Sequence, residues 1–213
     1  SRQLKAQSED GYDRVKAVAL TTIRDSCLCL DENYEPLSDV ILWLDSRETN
    51  TVKPFKWWVK AALKIVGMET ALMKQYQVTS ANWIMENEPE IWAKTKKYVM
   101  LSTYLNHCLT GQLKDCPANM IGHIPFDYKK GTWQSRNNLK RSMCDIPDEM
   151  MCDLVQTGET IGTITEEASL DSGIPQNLPL IATGSDKGCE TLGLSVIHED
   201  QAALSFGTTA TIQ

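Results

Sequence analysis

Apolar residues gather in short runs separated by turn chemistry, and the runs change period part-way along. Val15-Lys16-Ala17-Val18-Ala19-Leu20 is almost continuously apolar, which predicts a strand covered on both faces. Cys27-Leu28-Cys29-Leu30 predicts a second strand and Asp31 to Pro36 a turn. Val40-Ile41-Leu42-Trp43-Leu44 predicts a third strand, ending in Asp45-Ser46-Arg47. From residue 54 the period lengthens: Phe55, Trp58, Val59, Ala62, Leu63 and Val66 recur at helical spacing and Gly67 ends the run. Val78-Thr79-Ser80 leads into a short helix carrying Trp83 and Ile84. Asn87-Glu88-Pro89 starts another, because proline suits a first helical turn. Leu101, Tyr104, Leu105, Cys108 and Leu109 fall at i, i+3, i+4, i+7 and i+8, with Thr110-Gly111 as the stop.

Residues 112–132 read as irregular, and 133–143 and 147–156 as short helices. Ile161-Gly162-Thr163-Ile164 precedes a helix over 165–172, closed by Gly173. Pro175 and Pro179 lead into a buried central strand, Leu180-Ile181-Ala182. A Gly184-Ser185-Asp186 turn follows, then a helix with glycines on its packing side. Ala203 to Ile212 predicts two strands joined by a tight Gly207-Thr208-Thr209 turn. Residues 1–13 are polar, a helix end or a tail. Strands alternate with helices, so the fold class is α/β.

Composition narrows the function classes. The 213 residues suffice for one domain with a core or two small ones. A hydrophobic share of 42% with 23% charged residues is that of a globular chain. A net charge of −7 argues against nucleic acid, which needs a basic face. The apolar runs are too short for a membrane helix, and the polar start is no signal peptide. Seven cysteines, an odd number without a C-x-x-C pair, point to a reducing cytoplasm. Cys27 and Cys29 read as buried strand thiols, since no second pair completes a metal site.

Several residues carry chemistry. Asp186 stands where a strand gives way to a helix, the place ligands occupy in open α/β sheets. On spacing alone it is either a functional carboxylate or the cap of the following helix. Gly207, Thr208 and Thr209 could cradle a phosphate or be an ordinary hairpin turn. Arg24 and Asp25 end a strand as a ligand-binding pair or a structural ion pair. Trp43 offers a ring face to a ligand or packs in a core. Asp45 contacts a ligand or pairs with Arg47.

Five stretches, in order, resemble the FGGY carbohydrate kinases. They are Thr22-Ile23-Arg24-Asp25-Ser26 with Ile41 to Arg47, Leu101 to Gly111, Asp115 to Asn119, Gly184-Ser185-Asp186 with Leu192-Gly193, and Ser205 to Thr209. Order and spacing agree over about residues 14 to 213, with a xylulokinase-like or glycerol-kinase-like character. The resemblance implies a ribonuclease-H-like fold of the actin and hexokinase type. It also implies that residues 1–213 are most of the N-terminal domain. The family's opening D-x-G-[ST] hairpin and its whole C-terminal domain are not in the chain, so the chain alone is expected to be inactive. The implied activity is ATP- and Mg2+-dependent phosphorylation of a ketose or polyol hydroxyl, with a sugar-binding or regulatory module as the alternative. By the same resemblance Asp186 is the base, Arg24, Asp25, Trp43 and Asp45 meet the substrate, and Gly207, Thr208 and Thr209 take the phosphates. His123 falls in a loop that in relatives passes near the substrate, and Lys187 stands where relatives often carry a neutral amide. No resident metal site is implied. The partner is a small sugar or polyol, not nucleic acid or membrane, and a homo-oligomer is left open.

Overall fold

The computed structural model describes residues 1–51, 57, 63–65, 67–136, 138, 141, 143–206 and 210–212. Two buried clusters organise it. The smaller sits on a three-stranded sheet whose middle strand is Pro179–Ile181. That strand runs parallel to Val18–Ala19, with Val18 opposite Leu180 and Ala19 opposite Ile181, and antiparallel to Thr160–Thr163. Leu180 and Ala182 bury with Ile161 and Cys116. The expectation for Val15 to Leu20 is corrected here: only Val18–Ala19 pairs, and Ala19 is exposed. Among the described residues this strand lies at the sheet's edge.

The larger cluster surrounds Cys27–Leu30, all four residues of which are buried. This strand has neighbours on both sides, which explains its unbroken apolar character. On one side it pairs antiparallel with Lys97–Met100, Cys27 opposite Met100 and Leu30 opposite Lys97. On the other, Cys27 N–H donates to the Ile41 carbonyl at 3.0 Å and Ile41 N–H returns a bond of 2.9 Å. The expected strand over Val40 to Leu44 reduces to that single bridge at Ile41. The chain then turns outward, and Leu42, Trp43 and Leu44 are all exposed. Asp31 closes the intervening turn by accepting from the N–H groups of Asn33 and Glu35 at 2.8 and 3.0 Å. Lys97–Met100 was not read as a strand from its sequence, because Lys97 interrupts a run only four residues long.

The helix expected over 54–66 lies almost wholly outside the described residues; Trp57 and residues 63–65 are helical, and Gly67 follows at a φ of 69°. Helices Glu69–Val78, Ser80–Asn87 and Pro89–Lys94 come next, the last opened by its proline. The Leu101–Thr110 helix ends at Gly111, whose φ of 70° is the left-handed stop that glycine supplies at low cost. Its apolar stripe, however, is not its deepest face. Ser102, Thr103, Asn106 and Thr110 are buried, and Cys108 is exposed. The polar face turns inward because it meets Asp115, which is fully buried. Ser102 Oγ and Thr103 Oγ1 donate to Asp115 Oδ2 at 2.6 and 2.8 Å. The Cys116 N–H and Asn119 Nδ2 donate to Oδ1 at 2.8 and 2.9 Å. Burial pushes the Asp115 pKa up, and the four donors reduce that rise without reversing it.

The irregular 112–132 stretch holds short strands at Lys114–Asp115 and Phe126–Asp127. The expected helix over 147–156 is corrected, and that over 133–143 is corrected at its start, while its residues 137, 139, 140 and 142 lie outside the described residues. Thr132–Trp133 is a strand paired with Phe126–Asp127. Asp148–Met150 is a 3-10 turn, and Asp153–Leu154 a strand parallel to Lys114–Asp115. Ion pairs of Asp148 with Arg136 and Arg141 hold this stretch across the turn instead of a helical ladder. The glycines of the Asp186–Gly193 helix do not face a packed surface either. A Cβ at Gly193 would meet nothing within 4 Å, and at Gly188 only Ser185 Oγ at 3.9 Å. Residues 1–13 form helices Arg2–Gln7 and Glu9–Tyr12, the first anchored by Arg2 Nη2 on the Leu170 carbonyl at 2.7 Å. Among the described residues no helix is long and apolar enough to cross a membrane.

Candidate active site

Three chain segments meet where the parallel strands end. Beyond the pairing of Val18–Ala19 with Leu180–Ile181, Thr183 Oγ1 donates to the Leu20 carbonyl at 2.7 Å and Asp186 N–H to the Thr22 carbonyl at 3.1 Å. Residues 20–24 and 183–186 therefore leave the sheet side by side. The third segment joins through Asp25 N–H, which donates to the Ile121 carbonyl at 3.1 Å. Between them opens a cleft of about 420 Å³, lined by Ile23, Arg24, Asp25, Trp43, Ile121, Gly122, His123, Asp186, Lys187 and Thr211.

Asp186 is the first residue of the Asp186–Gly193 helix, and the cap position belongs to Ser185. Asp186 thus stands in the first helical turn, one residue past the cap position, and the Ser185 side chain makes no capping bond. A carboxylate at this position sits on the positive end of the helix dipole, which stabilises negative charge. Arg24 Nε lies 3.6 Å from Asp186 Oδ1, an ion-pair distance too long for a hydrogen bond. Among the described residues Oδ1 is buried with no hydrogen-bond partner. Buried acceptors are nearly always satisfied, so this one calls for a reason. Lys187 beside it bonds Glu190 at 2.6 Å and Ser205 at 3.3 Å, tying the helix to the Leu204–Phe206 strand.

Asp25 turns the chain with a φ of 50°, a left-handed conformation that Asp tolerates better than most side chains. Its carboxylate accepts from His123 N–H at 2.8 Å through Oδ1 and meets His123 Nδ1 at 2.6 Å through Oδ2. Gly122 makes this approach possible. Its φ is 154°, and a Cβ there would clash with Asp25 Oδ1. The hydrogen bond to Asp25 raises the His123 pKa, outweighing the lowering effect of burial. A raised folded-state value stabilises fully below the unfolded pKa of about 6.5, and that contribution fades as pH rises through the folded value. Thermal unfolding should therefore separate the wild-type chain from His123→Gln more widely at about pH 6 than at about pH 8. A gap that grows with pH instead would contradict the pairing.

Trp43 stands at the cleft wall, 48% exposed, with its N–H on Ser26 Oγ at 3.3 Å. Asp45 is not among the cleft-lining residues. It holds Arg47 bidentately at 2.6 to 2.9 Å, and the Arg47 guanidinium lies 4.6 Å from the Trp83 ring centre. Gly207, Thr208 and Thr209 lie outside the described residues; the strands flanking them, Leu204–Phe206 and Ala210–Ile212, pair antiparallel. Arg24, Asp25, Trp43 and Asp186 are thus brought to one cleft. Ile121, Gly122 and Thr211 were not singled out by their sequence. Gly122 carried the available signal, a glycine directly before a histidine in an irregular loop. Cys27 and Cys29 are free and buried, and burial pushes their thiols up to about 12 and about 11, so they stay protonated. Among the described residues no cluster of three potential metal ligands occurs.

The sequence profile described as "FGGY family of carbohydrate kinases, N-terminal domain" matches residues 2–193. The chain belongs to the FGGY family of carbohydrate kinases. Within that family it is 39% identical over 107 residues to the uncharacterized sugar kinase YgcE of Escherichia coli, covering 50% of this chain and 22% of that protein. It is 22% identical over 209 residues to the xylulose kinase of Lactococcus lactis, covering 98% of this chain and 41% of the relative. The FGGY chain thus spans less than half the length of these curated relatives. The solved xylulose kinase of Rhodospirillum rubrum superposes with a TM-score of 0.80 at 20% identity, over 99% of this chain and 43% of that one. The glycerol kinase of Plasmodium falciparum with ADP gives 0.71 at 18% identity, over 99% and 43%. These likenesses establish the fold of the FGGY chain as the α/β actin- and hexokinase-type one.

Proposed function

We propose that the full-length protein transfers the γ-phosphoryl group of ATP to a hydroxyl of a sugar or polyol, and that this chain, most of its N-terminal domain, supplies the acceptor half of the site. The reading rests on Asp186, whose carboxylate lines a cleft between chain segments beside Arg24 and, among the described residues, keeps one oxygen buried without a hydrogen-bond partner. An acceptor hydroxyl placed there satisfies it. As the hydroxyl oxygen attacks the γ-phosphorus, its proton passes to Asp186 and the bond to the bridging oxygen of ADP breaks. Arg24 holds a neighbouring hydroxyl by directional, charge-assisted bonds and screens the carboxylate. Asp25 contributes through the lone pairs that His123 leaves free, and Trp43 offers a ring face to the acceptor's C–H surface.

Gly207, Thr208 and Thr209 would take phosphate oxygens, with backbone N–H and hydroxyl donors of the right kind. Mg2+ would arrive with the nucleotide and neutralise phosphate charge. The free thiols accord with a reducing, cytoplasmic setting. The test is ADP release by the full-length protein with ATP and glycerol or D-xylulose, the acceptor types of its relatives, or with D-gluconate. Turnover with one of them is expected. Acceptor binding without any ADP release would instead assign a binding module.

A further inference from the structure

His123 is held on one side and open on the other. Asp25 engages its backbone N–H and its Nδ1. A carboxylate only accepts, so Nδ1 carries a proton and Nε2 presents a lone pair when the ring is neutral, or an N–H when it is charged. Among the described residues Nε2 has no hydrogen bond, and the side chain is only 29% exposed. The ring is therefore fixed in orientation, with a polar atom left over.

Position gives that atom a use. His123 lines the cleft that also holds Arg24, Asp186 and Lys187. With Gly122 it also lines a second cavity, of about 170 Å³, bounded by Leu72, Gln75, Thr79, Tyr128, Met143 and Cys144 among others. Two spaces thus share the Gly122–His123 wall. Gly122 has no side chain, so of the two residues shared by both linings His123 alone contributes one.

We propose that His123 determines acceptor specificity: its Nε2 hydrogen-bonds one hydroxyl of the sugar or polyol, and its ring limits acceptor length by closing the cleft off from the second cavity. The inference rests on reading the cleft as the acceptor site. A carbohydrate hydroxyl both donates and accepts, so it matches either protonation state of the ring. The charged groups around the ring are Asp25 at Nδ1, and Arg24, Asp186 and Lys187 along the cleft; the second cavity adds the uncharged Tyr128 and Cys144.

The experiment compares full-length wild type with His123→Ala and His123→Gln, using ATP and acceptors of rising length: glycerol, D-xylulose, D-gluconate and D-sedoheptulose. For the acceptor that wild type prefers, His123→Ala should raise KM about tenfold or more and leave the KM for ATP within about twofold. Preference should move toward longer acceptors, and His123→Gln should recover part of the lost KM. In wild type labelled with 15N-histidine, the Nε2 resonance should shift when that acceptor is added without ATP. An unchanged KM and rank order in His123→Ala, or a resonance that stays put, overturns the assignment. Where His123→Ala does not fold, the resonance and His123→Gln decide. Failure of wild type to release ADP with any of the four overturns the kinase reading itself, whereas turnover that ignores His123 overturns only this inference.

Discussion

Replacing Asp186 with asparagine in the full-length protein should lower kcat about a thousandfold while leaving the acceptor KM within about threefold, the signature of losing a general base whose shape is retained. Asparagine has almost the same volume and can still accept a hydrogen bond from the acceptor hydroxyl, but it cannot take the proton. Stability should fall by no more than about 1 kcal/mol, the scale of a helix-dipole contact and a partly exposed ion pair. A purely structural Asp186 makes the opposite forecast of intact kcat with a lower unfolding midpoint. Steady-state kinetics together with urea denaturation separate the two. A kcat within tenfold of wild type would remove Asp186 from the chemistry.

The largest effect on stability should come from Asp115, which no catalytic step uses. Asp115→Ala leaves four donors facing an apolar gap, and the hydroxyls of Ser102 and Thr103 can reorient where the Cys116 N–H and the Asn119 amide cannot. Unsatisfied buried donors of this kind set the expected loss at about 4 kcal/mol. Asp115→Asn should lose about 2 kcal/mol, since one oxygen still accepts while the new NH2 group faces donors. The surface pair of Asp45 and Arg47 is the control, and Asp45→Ala should change stability by less than about 1 kcal/mol. Denaturant midpoints measured on this chain decide the ranking. An Asp115→Ala midpoint equal to that of Asp45→Ala would mean the network carries no net stability.

What the sequence disclosed follows from how local each signal is. Leu101–Thr110 was readable because periodicity and a glycine stop coincide. Cys27–Leu30 was readable because an unbroken apolar run suits a strand flanked on both sides. Val40 to Leu44 misled for the same reason, since such a run does not say whether a partner strand exists, and only Ile41 found one. The polar inner face of the Leu101–Thr110 helix was hidden too, because Ser and Thr read as solvent-facing until a buried carboxylate is placed opposite. Arg24, Asp25, Trp43 and Asp186, singled out by family resemblance, come to one cleft in the structure, although Arg24, Asp25 and Trp43 do not end the strands expected for them. His123 was readable only through the resemblance, because its partner Asp25 lies 98 residues earlier in the chain. The loss of the expected strand also explains Asp45. Once the chain turns outward after Ile41, that carboxylate reaches Arg47 instead of the cleft.

The parallel pairing that brings Arg24 to Asp186 also sets when the cleft can exist. Thr183 and Leu20, bonded at the mouth of the sheet, are separated by 163 residues. Contacts of such long range are closed late, after local helices and hairpins have formed, because the loop entropy is lost before the contact rewards it. On the ribosome, Arg24 and Asp25 emerge long before Asp186 is synthesised. The Val18–Ala19 strand must therefore wait for its sheet partner until Pro179–Ile181 has been synthesised. The site is a late product of folding, and a chaperone or ligand acting on it meets a nearly finished domain.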